Sequence, residues 1–115
     1  ALCEQSLLAH KLELGIVIDC SHGNSSKDFR RQPLVAENVF NQIVEGNQSI
    51  IGVMLESHLS EGNQSADLAH GDLKYGVSVT DACIDFDTTA QLMALAFDKL
   101  NGVLIERVNK SVNEN

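Results

Sequence analysis

A chain of 115 residues with no visible linker has room for one small domain and a core of modest size. Its net charge of -8, from 16 acidic and 8 basic side chains, disfavours a nucleic-acid surface, where phosphates need Lys and Arg to neutralise them. The cysteines Cys3, Cys20 and Cys83 lack paired spacing, and no apolar stretch suits a signal peptide or membrane span; a reducing, cytoplasmic setting without a membrane partner follows.

Residues 1–12 place Leu2, Leu7, Leu8 and Leu12 at helical intervals, so the chain is expected to begin inside a helix, as a truncated domain would. Leu14 to Ile18 then form an apolar run that ends abruptly in Asp19, Cys20, Ser21 and His22. Apolar on both alternating faces, the run suits a parallel strand covered by helices, with His22 just past its carboxyl end, where α/β folds keep their active sites. Pro33 suits a first helical turn; Leu34, Val35, Val39, Phe40, Ile43 and Val44 give that helix its apolar face, and Gly46 ends it.

A second apolar run, Ser49 to Glu56, stops at a carboxylate. Residues 57–74 carry little periodicity and are long for a connection, which points to a functional loop over the strand ends. EGNQS occurs at both 45–49 and 61–65, before different kinds of structure, so the recurrence is a coincidence and not a repeat. In Tyr75 to Ile84, β-branched Val77, Val79 and Thr80 favour a third strand, with Asp81 near its end. Asp87, Thr88 and Thr89 can cap a last helix, whose buried stripe is Leu92, Met93, Leu95, Ala96 and Leu100 and whose stop is Gly102. Residues 103–108 read as a short outer strand and 109–115 as a frayed tail.

The fold class expected is α/β with three parallel strands and flanking helices. Open sheet edges call for a larger barrel or a homo-oligomer to cover them. With the strands adjacent and parallel, His22, Glu56 and Asp81 emerge on one rim, a donor set suited to manganese, iron, cobalt or zinc. The competing reading makes Glu56 and Asp81 helix caps or ion-pair partners of Arg30, Arg31 or Lys74, and His22 an ordinary loop histidine. Cys20 is an alternative ligand, two residues from His22 and on its face if the strand stays regular; a core thiol is the simpler role. His58 and His70 stand in the long loop and His10 on the surface. Lys27, Arg30 and Arg31 could steer an anionic substrate towards the rim.

The strings DCSHGNSSKDFRRQP (19–33), IIGVMLESHLSEGNQS (50–65) and KYGVSVTDACI (74–84) closely resemble the C-terminal third of class I 3-deoxy-7-phosphoheptulonate synthases. RRQP with KYGVSVTDACI leans towards the tyrosine-sensitive branch. The resemblance implies that residues 1–115 are the last part of a single (β/α)8 catalytic barrel and not a complete domain, since a full barrel takes about 250 residues. It implies an enzyme that condenses phosphoenolpyruvate with erythrose 4-phosphate, the first step of the shikimate pathway, and a segment inactive alone. It also implies a divalent metal ion held by His22, Glu56 and Asp81 with an upstream cysteine, so Cys20 and Cys83 do not inherit that role. On the same resemblance His22 and Asp81 are catalytic, the first beside phosphoenolpyruvate and the second near the sugar phosphate. The reading from a different class is a non-catalytic α/β module whose acidic rim binds a metal or a partner.

Overall fold

The computed structural model describes residues 1–114 and shows an α/β arrangement. In chain order it has α1 (Leu2–Ala9), β1 (Ile16–Asp19), α2 (Gln32–Val44), β2 (Ile50–Met54) and α3 (Phe86–Glu114), with single 3-10 turns at Gly23–Ser25, Phe29–Arg31 and His70–Asp72. Strands β1 and β2 pair in parallel from Ile16 opposite Ile50 to Asp19 opposite Met54, with one irregularity after Ile16.

One face of this two-stranded sheet, carrying Ile18 and Val53, joins the core. There Ala36, Val39, Phe40 and Ile43 of α2 cluster with Leu92 and Leu100 of α3 and with Ile50 and Ile84. Across the helix pair, Lys99 Nζ donates to Asn41 Oδ1 at 2.6 Å and lies 3.6 Å from Glu37. The opposite sheet face carries Val17, Gly52 and Met54 and is open, with Val17 58% exposed. A radius of gyration of 17.5 Å also exceeds the roughly 13 Å of a compact domain of this length. Helix α1 buries none of its side chains.

Three expectations need correction. Among the described residues the third strand is absent: Tyr75 to Ile84 makes only isolated bridges, Ser57 to Ile84, Gly62 to Cys83 and Asn63 to Ser78, so the sheet there has two strands and not three. Side chains take the hydrogen-bonding groups that a ladder would have used. Gln64 Nε2 donates to the carbonyls of Lys74 and Val77, Gln64 Oε1 accepts from the Lys74 amide, and Asn63 Nδ2 donates to the Thr80 carbonyl. Gly76 turns the chain at φ 78°, where a Cβ would stand 3.0 Å from Leu59 Cβ, so a larger residue would be both strained and crowded.

The second correction concerns residues 103–108, which are helical and not an outer strand. Helix α3 runs through Gly102 because Val103 still packs on the core and Arg107 donates to the carbonyls of Asn47 and Ile50. The helix continues to Glu114, so the expected frayed tail is helical as far as that residue, and Asn115 lies outside the described residues. Third, the cap of α3 is Asp85, ahead of the expected Asp87 to Thr89. Its Oδ1 accepts from the Thr88 amide at 2.8 Å and its carbonyl from the Thr89 amide at 3.1 Å. Gly46, at φ 117°, does end α2, and Pro33 does sit in its first turn.

Candidate metal centre

β1 ends at Asp19, and the turn beyond it is built on that residue's own carboxylate. The Ser21 amide and hydroxyl both donate to Asp19 Oδ1, at 2.8 and 2.6 Å, and His22 Nδ1–H donates to Oδ2 at 2.7 Å. The Ser21 hydroxyl, then its amide, then the imidazole hold the Asp19 carboxyl far below the usual carboxylate range. The His22 imidazole moves the opposite way, raised first by its bond to Asp19 and then by Asp81. Asp19 thereby fixes the proton on Nδ1 and turns Nε2 outward.

Glu56 follows the end of β2 by two residues, and a buried clamp sets its backbone. The Gln32 side chain, wholly buried in the first turn of α2, accepts from the Glu56 amide at 3.0 Å and donates to the Glu56 carbonyl at 3.2 Å. The Ile84 amide donates to the same carbonyl at 3.0 Å. Asp81 comes from the irregular segment, between the Asn63 contact to Thr80 and the paired hydrogen bonds of Gly62 with Cys83, 2.9 and 3.1 Å.

These supports bring His22, Glu56 and Asp81 to one point. Nε2 of His22 lies 3.3 Å from Glu56 Oε1 and 3.2 Å from Asp81 Oδ2, and one ligand atom from each residue fits within 4.8 Å of the other two. The site opens into a cleft of about 190 Å³ lined by these three with Ser21, Lys27, Asn63 and Ala82. Larger grooves lie beside α2, about 400 Å³, and along α3, about 410 Å³, but neither gathers ligating groups, so chemistry and not size selects the site.

With its proton on Nδ1, a neutral imidazole aims a lone pair at two carboxylates, which is repulsive. The contact is favourable only if Nε2 takes a second proton or a cation stands between the three groups. Metal–ligand bonds of about 2.0–2.2 Å place neighbouring donors roughly 3.0–3.5 Å apart, and the two observed separations fall in that range. One nitrogen and two carboxylate donors, with the second imidazole nitrogen anchored on a carboxylate, therefore fit a divalent transition metal.

The other candidates stand apart. Cys20 is completely buried in the core, its thiol pushed up by burial; the strand's alternation ends at Asp19, so Cys20 does not share the face of His22. Cys83 is buried with its thiol towards the Asp81 carbonyl. His58 accepts from the Leu59 amide, His70 lies on an exposed 3-10 turn, and His10 contacts the Ser6 carbonyl. Among the described residues, neither Arg30, Arg31 nor Lys74 forms an ion pair with Glu56 or Asp81, which both face His22 instead. Asp19 and Gln32 are the supporting residues that sequence reasoning missed. Asp19 left a signal, three residues before His22 across a tight turn; Gln32 left none, because its partner is 24 residues away.

The chain matches the DAHP synthetase I family over residues 3–94. It belongs to that family. Over 112 residues it is 52% identical to the Tyr-sensitive phospho-2-dehydro-3-deoxyheptonate aldolase of Enterobacter agglomerans, covering 97% of this chain and 53% of that protein. Against the Tyr-sensitive aldolase of Escherichia coli K12 the identity is 52% over 108 residues, covering 94% of this chain and 30% of that one. The chain thus spans about half the length of the first relative and under a third of the second. A solved phospho-2-dehydro-3-deoxyheptonate aldolase from Francisella tularensis SCHU S4 superposes with a TM-score of 0.80 at 37% identity, over 86% of this chain and 28% of that structure. The family is the one that the strings around His22, Glu56 and Asp81 resemble.

Proposed function

We propose that this chain is the metal-binding, C-terminal part of a (β/α)8 barrel that condenses phosphoenolpyruvate with erythrose 4-phosphate and releases phosphate. The observation that carries this reading is the convergence of His22, Glu56 and Asp81 at the carboxyl ends of β1 and β2 and of the adjoining bridge, in a chain of this family. The open apolar face of the sheet, with Val17 and Met54, supports a barrel interior on that side, completed by upstream strands. The isolated segment is then expected to show no condensation. For the segment by itself the uncovered faces favour a homo-oligomer, and its setting is read as the cytoplasm; among the described residues no helix is long and apolar enough to cross a membrane.

His22, Glu56 and Asp81 would hold the ion, with manganese, iron, cobalt and zinc all compatible with the donors. When bound, it would supply Lewis acidity towards an aldehyde oxygen or orient a water. The rest falls to the protein's own groups. Asp19 keeps the Nδ1 proton in place and so presents Nε2 as a donor. Gln32 fixes the backbone from which Glu56 projects. In this reading His22 would lie beside phosphoenolpyruvate and Asp81 near the sugar phosphate; Asp81 is the most exposed of the three, with 68% of its side chain accessible.

Separate substitution of His22, Glu56 and Asp81 in a full-length polypeptide carrying this chain tests the reading through metal content and condensation rate. Loss of both is expected for each. Three variants with full metal content and full rate would refute the site. Metal loss without any condensation by the unmutated polypeptide would favour the non-catalytic metal-binding module instead.

A further inference from the structure

We infer that Lys27 is the oxyanion-binding residue of this site, recognising a phosphate or carboxylate of the substrates beside the metal ligands. The inference rests on the proposed function and adds a substrate contact to it. The cleft is acidic: Glu56 and Asp81 line it, and Asp19 stands behind His22. A divalent ion held there would offset Glu56 and Asp81, but each phosphate or carboxylate of a substrate has several oxygens that still need a cationic donor of their own. Of the basic cluster, only Lys27 lines the cleft. Arg30 lies over the Phe29 ring, 5.3 Å from its centroid, and Arg31 lines the separate groove beside α2. Among the described residues Lys27 makes no ion pair, so its ammonium is free for a ligand.

The backbone supports the same assignment. Ser26 and Lys27 are consecutive non-glycine residues in the left-handed region, at φ 55° and 62°. This turn brings the Lys27 amide to the His22 carbonyl at 2.9 Å and folds the chain back against the cleft. Glycine adopts such a conformation without strain, whereas lysine does not. A lysine there lowers stability and contributes nothing that glycine lacks except its ammonium and stem.

The test uses a full-length polypeptide carrying this chain, with the variants Lys27→Ala, Lys27→Arg and Lys27→Gly. Manganese alone should bind all of them within about twofold of the parent, because Lys27 is not a ligand. The KM for one phosphorylated substrate should rise about tenfold in K27A and K27G, the loss expected for one charge-assisted hydrogen bond, and recover largely in K27R. The KM that moves identifies the source of the oxyanion, phosphoenolpyruvate or erythrose 4-phosphate. K27G should also melt no lower than the parent while showing the raised KM, a combination that a merely structural role cannot produce. Unchanged KM values for both substrates in K27A, or a K27G variant that loses stability and affinity together, would overturn the inference. A parent that binds no manganese and condenses nothing would remove the proposed function and Lys27's role with it, whereas manganese binding with unmoved KM values removes Lys27's role alone.

Discussion

Glu56 and Asp81 face the same imidazole nitrogen at nearly equal distances, yet the chain supports them in different ways. Glu56 follows a regular strand, and both polar groups of its backbone are tied to a fully buried glutamine from another element. Asp81 hangs on a segment outside any regular strand, held by an exposed asparagine, one isolated bridge before it at Ser78 and two after it at Cys83 and Ile84. One carboxylate is placed by the core and the other by a loop, so the two candidate ligands differ in how firmly the chain is expected to hold them.

The largest effect is expected at the imidazole nitrogen that both carboxylates face. His22→Ala should lower manganese affinity by about a hundredfold or more, because it removes the nitrogen donor shared by both sides, and calorimetric titration would measure it. Next comes the carboxylate placed by the core. Gln32→Leu strips the Glu56 backbone of partners in a buried place, which should cost about 1–3 kcal/mol in denaturant unfolding and about tenfold in manganese affinity. On the side placed by the loop, Asn63→Ala releases one exposed contact to the Thr80 carbonyl, so stability should fall by under about 1 kcal/mol and affinity by about threefold. If N63A costs more affinity than Q32L, the expected order of firmness is reversed.

The smallest effect is a dependence on pH. In the metal-free protein the raised His22 value means that its stabilising contact is fully present below its ordinary 6.5 and is lost as pH rises through the folded value. Manganese affinity should change the other way in the same window, rising with pH as Nε2 gives up its proton. Asp19 has the opposite sign: its contribution is present above its ordinary 3.8 and is lost as pH falls through the lowered folded value. A manganese affinity that stays flat across the His22 titration would remove Nε2 from the site.

The same contrast explains what could be read from the amino-acid order. β1, α2 and β2 were legible because uninterrupted apolar runs and a 3.6-residue stripe meet a shared core, where local preference and burial agree. Val77, Val79 and Thr80 carry equal strand preference, yet the side-chain amides of Asn63 and Gln64 claim the neighbouring carbonyls, and no local pattern announces such competition. Gly102 reads as a helix stop until Arg107 is seen holding the following turns against the loop before β2. The positions of His22, Glu56 and Asp81 beside apolar runs were visible, whereas the Gln32 clamp depends on a fold that joins residues 24 apart.

In the proposed site Asp19 holds His22 through Nδ1, so that Nε2 would meet a metal ion together with Glu56 and Asp81. Nitrogen-15 NMR of the His22 ring during titration with zinc, a diamagnetic stand-in, tests this most directly. On zinc addition Nε2 should shift while Nδ1 keeps its proton and its hydrogen bond to Asp19. A ring whose Nδ1 takes the metal, or whose two nitrogens both stay at their metal-free positions in saturating zinc, would contradict it.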